Sequence, residues 1–308
     1  METMLSRRYT GEDDLILLQD FNARAIAITD HCGYLHPGDI PHHIYNGNKY
    51  YDPAELMMIW EDDQGIAAWM LAQPRFKSFD AQVRPDLRGG EFEKGVLEHT
   101  ESRLVALMQK HDIMSDSIYA DAFRCDPWRI QLLAEMGWQP DDELPYVLNR
   151  VEINPLPLPG LPPGFSYGSA RGVEDAAVLA EVHNAAFKPT NWTPELYQRV
   201  MESPGYDPAR ELVIQAPDGA FAAFCVIWFD HLNSIGSFEP VGTHRDYRRR
   251  GFGKAIMLYG LQQMAAGGMT HATVAYFGDN QAARKLYMAC GFKPWQIIDG
   301  YTKPVRFS

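Results

Sequence analysis

The stretch that decides the fold covers residues 243–255 and reads THRDYRRRGFGKA. It lies between a predicted strand, residues 237–243, and a predicted helix, residues 251–266. Two glycines separated by one residue, Gly251 and Gly253, allow a ligand to approach the backbone closely, and the helix start presents unpaired N–H groups. Because the positive end of the helix dipole lies at the same place, the stretch predicts an anion site suited to a pyrophosphate.

Four basic side chains add positive charge to this stretch and are long enough to reach a ribose 3′-phosphate: Arg248, Arg249, Arg250 and Lys254. A basic triplet is also typical of a solvated surface. The stretch is not a dinucleotide fingerprint, which needs a third glycine and an early βαβ unit, nor a Walker loop, which needs Gly-Lys-Ser/Thr. Taken alone, it leaves phosphate binding and a solvated basic surface as open alternatives.

A second informative stretch, residues 280–292, follows about one strand later and reads NQAARKLYMACGF. On a helix, Asn280, Ala283 and Tyr287 share one face, because they are spaced at i, i+3 and i+7. An amide, a small residue and a phenol on one stripe predict a polar slot. The alternative is that Tyr287 is an ordinary buried aromatic residue.

The two stretches together resemble the GNAT superfamily of N-acetyltransferases. The pattern Arg248-x-x-Gly251-x-Gly253 is followed by Asn280-x-x-Ala283, and then by a Leu-Tyr pair and a Gly-Phe pair, in the order and on the elements typical of that family. Arg245 departs from the pattern, since many members have proline there. The resemblance is strong in the second half of the chain and faint in the first.

The resemblance implies a fold, a co-substrate and a site. The fold is α/β, with two tandem GNAT-like domains, each a mixed, mostly antiparallel twisted sheet flanked by helices. The co-substrate is acetyl-CoA, with no metal, and its pyrophosphate rests on the glycine turn. The pantetheine arm pairs with the edge of the preceding strand, where a backbone N–H polarises the thioester carbonyl. The implied binding residues are Val241, Gly242, Thr243, Arg248, Arg249, Arg250, Gly251, Phe252, Gly253, Lys254, Ala255, Asn280, Ala283 and Tyr287.

Direct acyl transfer from a thioester to an amine needs an acid and a base. By resemblance, Tyr287 is the general acid toward the departing thiolate. Glu239 is our candidate for the base, since it lies four residues before Thr243 and equal parity along a strand puts both side chains on one face, unless Pro240 or a bulge shifts the alternation. A structural or substrate-anchoring carboxylate is the alternative role for Glu239. Asp230 and His231 are weaker candidates for the base.

The chain divides near its midpoint. Residues 154–163 read NPLPLPGLPP, and so many prolines predict a linker between a degenerate GNAT-like domain, residues 1–153, and a catalytic GNAT domain, residues 164–308. After the linker, short strands alternate with helices. We predict strands over 165–170, 211–215, 220–230, 271–277, 295–299 and 301–305, and helices over 173–187, from 193 and over 280–290.

The first half repeats this outline without its chemistry. Residues 83–94, VRPDLRGGEFEK, resemble the glycine turn, but Glu91 and Glu93 stand near the glycine positions and repel a pyrophosphate. Counting back from Gly137, Leu133 replaces the tyrosine and Asp126 the asparagine. We therefore predict that this half binds no CoA productively and supports the active half or shapes its substrate cleft.

A group of imidazoles and one thiol follows in a loop-like part of the first half: His31, Cys32, His36, His42 and His43. The spacing matches no metal site. Polar loop residues or a lid on the substrate side are the interpretations that this spacing favours.

Composition limits the possible partners. The 308 residues carry a net charge of −12, which argues against nucleic acid or an anionic membrane as a partner. The longest apolar run, residues 220–229, is half of a membrane span, and the start of the chain has no signal-peptide core. The four cysteines are widely spaced, so we expect no disulfide framework and a reducing cytoplasm.

By this resemblance we expect a cytoplasmic N-acetyltransferase of tandem, mycothiol-synthase-like architecture that acts on a primary amine, and an acidic protein suits a cationic small molecule such as an aminoglycoside or a polyamine. A protein or peptide amine is one alternative acceptor. A non-enzymatic acyl-CoA-binding module is a second alternative, although it needs neither Tyr287 nor Glu239. The oligomeric state is not predictable from these patterns.

Overall fold

A computed structural model describes residues 4–154, 157–187 and 190–305. The fold is α/β and comprises two compact units. Unit 1 contains the chain up to Val147, the short segment Phe277–Asp279 and the chain from Gln296 onward, whereas unit 2 contains Leu148–Tyr276 and Asn280–Trp295. These ranges differ from the predicted domains, because the last strand pairs within unit 1. Two residues of the predicted linker, Pro155 and Leu156, lie outside the described residues.

Unit 1 contains a sheet whose strands are joined by two long helices and several shorter ones. Its strands are β1 (Leu5–Arg8), β2 (Met57–Asp62), β3 (Gly65–Gln73), β4 (Ser78–Val83), β5 (Ser117–Phe123) and β6 (Gln139–Pro140), and its helices are α1 (Glu12–Thr29), α2 (Asp39–Pro41), α3 (Pro53–Leu56), α4 (Glu91–Lys110) and α5 (Pro127–Glu135).

Unit 2 repeats this plan. Strand β7 (Tyr146–Glu152) leads into it, and its further strands are β8 (Ser166–Ser169), β9 (Glu211–Gln215), β10 (Phe221–Asp230), β11 (Ile235–Thr243) and β12 (His271–Phe277). Its helices are α6 (Ala176–Ala186), α7 (Pro194–Met201), α8 (Phe252–Ala266) and α9 (Gln281–Ala289), and the final strand is β13 (Lys293–Pro304).

Both sheets are mixed and mostly antiparallel, as predicted. In unit 1 the strand order is β1-β2-β3-β4-β5, and the part of β13 from Ile298 to Pro304 pairs antiparallel with β5. In unit 2 the order is β7-β12-β11-β10-β9-β8. The parallel pairs are β4 with β5 and β11 with β12, which are the pairs that long helical connections join.

Helices pack on both faces of the unit 2 sheet. On one face α8 approaches so closely that a Cβ at Gly260 would lie 2.4 Å from the Phe238 ring. On the other face, Leu179 and Val182 of α6 pack against Phe224 of β10. Glycine at 260 is therefore required by helix–sheet contact and not by backbone angle.

Most predicted elements of unit 2 are found within a few residues of their predicted ends. Thr193 caps α7 as predicted, since its hydroxyl accepts a hydrogen bond from the Leu196 N–H at 3.2 Å. Two details differ. The predicted helix over 173–187 begins as a 3₁₀ turn at Val173–Asp175, and the two predicted strands at the end of the chain are the single strand β13.

The expectation of no disulfide is wrong. Cys32 and Cys125 form a disulfide bond across a sequence separation of 93 residues, while Cys225 and Cys290 are free and buried. A spacing argument fails here because the fold, and not the local sequence, brings the two cysteines together. The cytoplasmic location therefore loses its support from the cysteines and stays a prediction.

The neighbouring imidazoles have separate surroundings. His43 Nδ1 lies 2.8 Å from Asp80 Oδ2, whereas His31 and His36 are buried with stacked rings. Within residues 4–154, 157–187 and 190–305, no three histidine, cysteine or carboxylate side chains are arranged to hold a metal ion. In the same residues, no helix is long and apolar enough to cross a membrane.

Replacing Cys32 and Cys125 by serine is expected to lower the free energy of unfolding by about 2–4 kcal/mol, because the cross-link restricts the unfolded chain. Chemical denaturation with and without a thiol reductant measures this effect. The reductant should destabilise the wild type and leave the double serine variant unchanged. Equal sensitivity of both proteins would contradict a role for this bond.

Candidate active site

The site begins where two neighbouring strands of unit 2 separate. β11 pairs with β12 over only three positions, and the last of them joins Ser237 to Thr273. Beyond that point β11 continues to Thr243, which still pairs with Ala223 of β10 on its other edge. The edge of β11 that faces β12 is thus left without a strand partner at residues 240–243 among the described residues, and this stretch is called the free edge. An extended ligand can pair with such an edge.

A bulge interrupts β11 at the start of this free edge. Cys225 of β10 lies opposite Val241 and Ile227 lies opposite Phe238, so Glu239 and Pro240 together face Val226. One extra residue shifts the alternation of side chains. Proline fits this position because it has no N–H to donate to the ladder.

The bulge changes where Glu239 points. Phe238 contacts α8 at Gly260, and the Thr243 hydroxyl lies at the α8 residue Gly253, although the two strand residues are an odd number of positions apart. Alternation from Phe238 then places the Glu239 side chain on the face opposite Thr243. The exception that the sequence analysis allowed for therefore applies, because the bulge shifts the alternation of side chains between Glu239 and Thr243. The role of Glu239 as base stays a prediction.

The turn after β11 presents a row of unpaired backbone donors. It runs through a 3₁₀ turn at Arg245–Tyr247, and two residues after it have left-handed backbone, Arg249 with φ 60° and Gly251 with φ 87°. Among the described residues, no acceptor bonds the six N–H groups of residues 249–254, and the helix ladder starts with the Ala255 N–H donating to the Gly251 carbonyl at 3.0 Å. These donors and the helix dipole create an anion cradle.

The basic residues of the turn differ in what they contact. Arg248 donates from Nη2 to the Ala186 carbonyl at 2.7 Å, and the Arg250 guanidinium lies over the rings of Phe165, Tyr247 and Phe252 at 5.3–5.5 Å. These two arginines fasten the turn to its unit. Arg249 and Lys254 are exposed at the cradle, and Lys254 is the third residue of α8.

Helix α9 provides the second stretch of the site. The Asn280 side chain accepts a hydrogen bond from the Ala283 N–H at 3.0 Å and so caps the helix. Asn280 itself is exposed, whereas Ala283 is half-buried and Tyr287 is buried. The shared stripe is therefore present from Ala283 to Tyr287, and Asn280 has a clear structural role at its start.

Tyr287 lies close to the separated strands. Its ring centroid is 6.2 Å from that of Tyr276 in β12 and 6.2 Å from that of Phe292. Burial raises the pKa of the Tyr287 phenol, and the charges of Glu239 and Cys290 raise it further. Among the described residues none hydrogen-bonds the Tyr287 hydroxyl. The phenol is therefore protonated at neutral pH and available to donate a proton.

The two weaker candidates for the base have other surroundings. The Asp230 carboxylate is buried and accepts hydrogen bonds from the Asn233 backbone N–H at 3.1 Å and from the Asn233 side chain at 2.6 Å. It holds the turn between β10 and β11. The His231 ring is exposed and stacks on Phe229, with 5.6 Å between centroids. Of the three candidates, Glu239 alone lies within β11.

Sequence patterns did not indicate Trp228. Its indole N–H donates to the Glu239 carbonyl at 2.9 Å, and the Arg210 guanidinium lies 4.9 Å above its ring. Trp228 thus fixes the backbone of the bulge from the neighbouring strand. The one signal in the sequence was a tryptophan near the end of a strand, which by itself does not distinguish a core residue from a positioning residue.

A buried network behind β9 was also missed. The Glu211 carboxylate accepts hydrogen bonds from the hydroxyls of Tyr197 and Tyr206, and the Tyr197 oxygen lies 3.0 Å from His183 Nε2. Burial raises the pKa of Glu211, and the two phenolic hydrogen bonds oppose this shift. Glu211 pairs with Val226, the residue opposite the bulge. The network therefore supports the part of the sheet in which β10 lies opposite the bulge of β11.

Comparison with known proteins identifies a family and relatives that match part of this chain. Residues 179–292 match the family model described as the acetyltransferase (GNAT) family. A mycothiol acetyltransferase from Kineococcus radiotolerans is 31% identical over 173 residues, which are 54% of this chain and 55% of the relative. One from Nocardiopsis dassonvillei is 27% identical over 187 residues, 58% of this chain and 52% of the relative. The chain thus spans about half the length of the curated relatives it matches.

Solved structures match over nearly the whole chain. A tandem GNAT protein from the clavulanic acid biosynthesis pathway superimposes with a TM-score of 0.68 at 16% identity, covering 99% of this chain and 100% of that one. A GCN5-related N-acetyltransferase from Sphaerobacter thermophilus gives a TM-score of 0.64 at 17% identity, covering 99% and 96%. At such identities the likeness shows the fold, which is two GNAT-like domains in tandem.

A matched pair of glycines tests the anion cradle. Gly251 and Gly268 both have φ of 87°, and neither Cβ would meet an atom within 4 Å. Alanine at either position is expected to destabilise the fold by about 1 kcal/mol through backbone strain. Only Gly251→Ala should also weaken the binding of acetyl-CoA, which calorimetric titration measures. Equal weakening by Gly268→Ala would contradict the assignment of the cradle.

Proposed function

We propose that this chain, which carries a domain of the acetyltransferase (GNAT) family, transfers an acetyl group from acetyl-CoA directly to a primary amine of a small molecule. The observation that carries the proposal is the row of six unpaired N–H groups, residues 249–254, directly after the free edge of β11. A pyrophosphate needs such donors, and the pantetheine arm needs such an edge. The relatives named for acetyl transfer support the same chemistry.

The donor is held along the free edge and the turn. Val241, Gly242 and Thr243 offer backbone groups to the pantetheine arm, and residues 249–254 offer N–H groups to the pyrophosphate. Arg249 and Lys254 add positive charge at the surface of the cradle. A backbone N–H at the bulge stabilises the negative charge that develops on the thioester oxygen.

The chemistry is one acyl transfer with two proton movements. The amine nitrogen forms a bond to the thioester carbon, the carbon–sulfur bond breaks, and the electron pair leaves with the sulfur. Glu239 takes a proton from the substrate ammonium, directly or through water, before the neutral amine attacks, and Tyr287 relays the second proton of the acylated nitrogen to the thiolate. Burial, and then the charge of Glu239, raise the pKa of the Tyr287 phenol and keep it protonated.

Transfer through an acyl-cysteine is disfavoured by the free thiols. Burial raises the pKa of Cys290 to about 11, although Lys254 opposes the shift, and burial also raises the pKa of Cys225. A thiol of this kind carries little thiolate at neutral pH and is a poor nucleophile. Direct attack by the amine is therefore the route that these residues support.

A small-molecule acceptor is supported by two observations. The relatives that the chain matches are named mycothiol acetyltransferases, after a small molecule. The net charge of −12 favours a cationic amine over a polyanion. A protein amine remains the alternative acceptor, and an assay with peptide and small-molecule amines side by side distinguishes the two.

Tyr287→Phe is expected to reduce kcat by about 100-fold or more, because the leaving thiolate loses its proton donor. Thiol release from acetyl-CoA in the presence of a panel of amines measures this. Binding of acetyl-CoA should be nearly unchanged. Tyr259→Phe is the matched control, since Tyr259 lies in the middle of α8 and packs on Tyr167. An equal loss in both variants would contradict the assignment of Tyr287 as acid.

The pH dependence follows from the raised pKa of Tyr287. Burial and Glu239 favour the protonated phenol, so we expect no loss of kcat from phenol ionisation near pH 10, the ordinary tyrosine value. Glu239→Gln removes one of the causes and should move the alkaline limb to lower pH. A pH–rate profile of the two proteins measures the shift. An identical alkaline limb in both would contradict the coupling.

Trp228→Phe tests the support of the bulge. The variant keeps a ring beneath Arg210 but removes the N–H that holds the Glu239 carbonyl, a hydrogen bond worth about 1 kcal/mol. We expect kcat to fall about threefold to tenfold while the KM for acetyl-CoA stays the same. Trp138→Phe, in unit 1, is the control and should change neither. A change in KM alone would contradict a positioning role for Trp228.

A further inference from the structure

Unit 1 contains a turn of the same construction as the anion cradle of unit 2. A 3₁₀ turn at Pro85–Leu87 is followed by Gly89 with φ 76° and then by α4, as the 3₁₀ turn at Arg245–Tyr247 is followed by α8. Counted from the two 3₁₀ turns, Glu91 and Glu93 take the positions of Gly251 and Gly253 in unit 2. The turn of unit 1 therefore carries a carboxylate at each position where the cradle has one of its two glycines.

Glu93 does not point to solvent but folds back into its own turn. Its side chain is 0% exposed, and Oε2 accepts a hydrogen bond from the Gly89 N–H at 2.6 Å. Oε1 accepts another from Arg129 Nε at 2.7 Å. Burial disfavours the charge, but Arg129, the Gly89 N–H and Arg88 together lower the pKa of Glu93. The carboxylate is therefore an anion in the position that a phosphate takes in such a turn.

A second arginine faces the same carboxylate. The Arg88 side chain is 8% exposed, its Nε lies 3.8 Å from Glu93 Oε1, and that Nε has no hydrogen-bond acceptor among the described residues. The other end of Arg88 pairs with Asp126, which caps α5 beside the disulfide cysteine Cys125. Two buried guanidinium groups and a backbone N–H thus converge on one point. Such a convergence is typical of an oxyanion site.

We infer that the turn of unit 1 is an anion site whose occupant is the chain's own Glu93 carboxylate, so that unit 1 takes no acetyl-CoA and an inorganic oxyanion replaces the carboxylate once it is removed. The acetyl-CoA part of this inference rests on the proposed function. The oxyanion part rests only on contacts within unit 1. The Glu93 carboxylate keeps its negative charge although it is buried, because Arg88 and Arg129 both stabilise that charge.

Titration of inorganic pyrophosphate tests the occupant directly. We expect one pyrophosphate per chain in the wild type, bound by unit 2, and two in Glu93→Ala. Glu91→Ala is the matched control, because Glu91 is an exposed carboxylate at the start of the same helix. Glu91→Ala should still bind one pyrophosphate per chain. A Glu93→Ala protein that binds no additional pyrophosphate would contradict the inference.

Folding of the variant is itself a readout. Removing Glu93 leaves two arginines buried without their partner, so Glu93→Ala should melt several degrees below the wild type, and pyrophosphate should restore most of that loss. Chloride at the same ionic strength should not restore the melting temperature of Glu93→Ala. If the variant folds only when pyrophosphate is present, the inference is supported. Failure to fold in both salts would contradict it.

Titration of acetyl-CoA separates this inference from the proposed function. The wild type should bind one acetyl-CoA, and Gly253→Glu, which places a carboxylate at the second position of α8, should bind none. If the wild type bound two acetyl-CoA molecules and Gly253→Glu still bound one, the result would contradict a turn in unit 1 that takes no acetyl-CoA. None in the wild type would contradict the proposed function, while the pyrophosphate titration of Glu93→Ala would still decide the identity of the occupant.

Discussion

The separation of β11 from β12 after the Ser237–Thr273 pair is the constraint on which the rest of the site depends. A fully paired sheet has no room for an extended ligand between its strands, and it offers no free backbone donors. Here one strand is held by β10 alone beyond that pair, with a bulge at Glu239 and Pro240. The edge of β11 from Pro240 to Thr243 leads directly into the turn, where the N–H groups of residues 249–254 have no acceptor among the described residues.

The side chains around this line fix the backbone more than they bind a ligand. Arg248 and Arg250 hold the turn, Trp228 holds the bulge, and the Asn280 side chain starts α9 so that Tyr287 lies toward the separated strands. Preorganised backbone donors need no rearrangement when charge develops on a reacting group. The site is therefore built mainly from main-chain geometry, with Tyr287 and Glu239 as its proposed chemical groups.

The two units show how one architecture accepts or excludes a ligand. β4 and β5 pair at a single position, Ser78 with Tyr119, so the strands of unit 1 also separate. Asp126 caps α5 as Asn280 caps α9, but Leu133 follows where unit 2 has Tyr287. Loss of the phenol removes the chemistry, and Glu93 fills the turn. We therefore propose that the repeated fold does not repeat the function.

The sequence predicted those features that depend on residues close together in the chain. Thr193 as a cap, the turn at 243–255 and the stripe from Ala283 to Tyr287 depend on neighbours within one or two helical turns. The disulfide between Cys32 and Cys125, the bulge at Glu239 and the contact from Trp228 depend on residues far apart in the chain, which spacing does not reveal. The repulsion of a pyrophosphate by the two glutamates near the start of α4 stays a prediction, and the inward turn of Glu93 could not be predicted because it depends on the placement of Arg129 and Arg88.

Residue-resolved hydrogen–deuterium exchange, with and without acetyl-CoA, tests the central claim most directly. The six amides of residues 249–254 have no internal acceptor, so they should exchange rapidly in the free protein and become protected when acetyl-CoA is bound. The amides of residues 89–94 should not change. Protection that appears at 89–94, or at neither turn, would contradict the account.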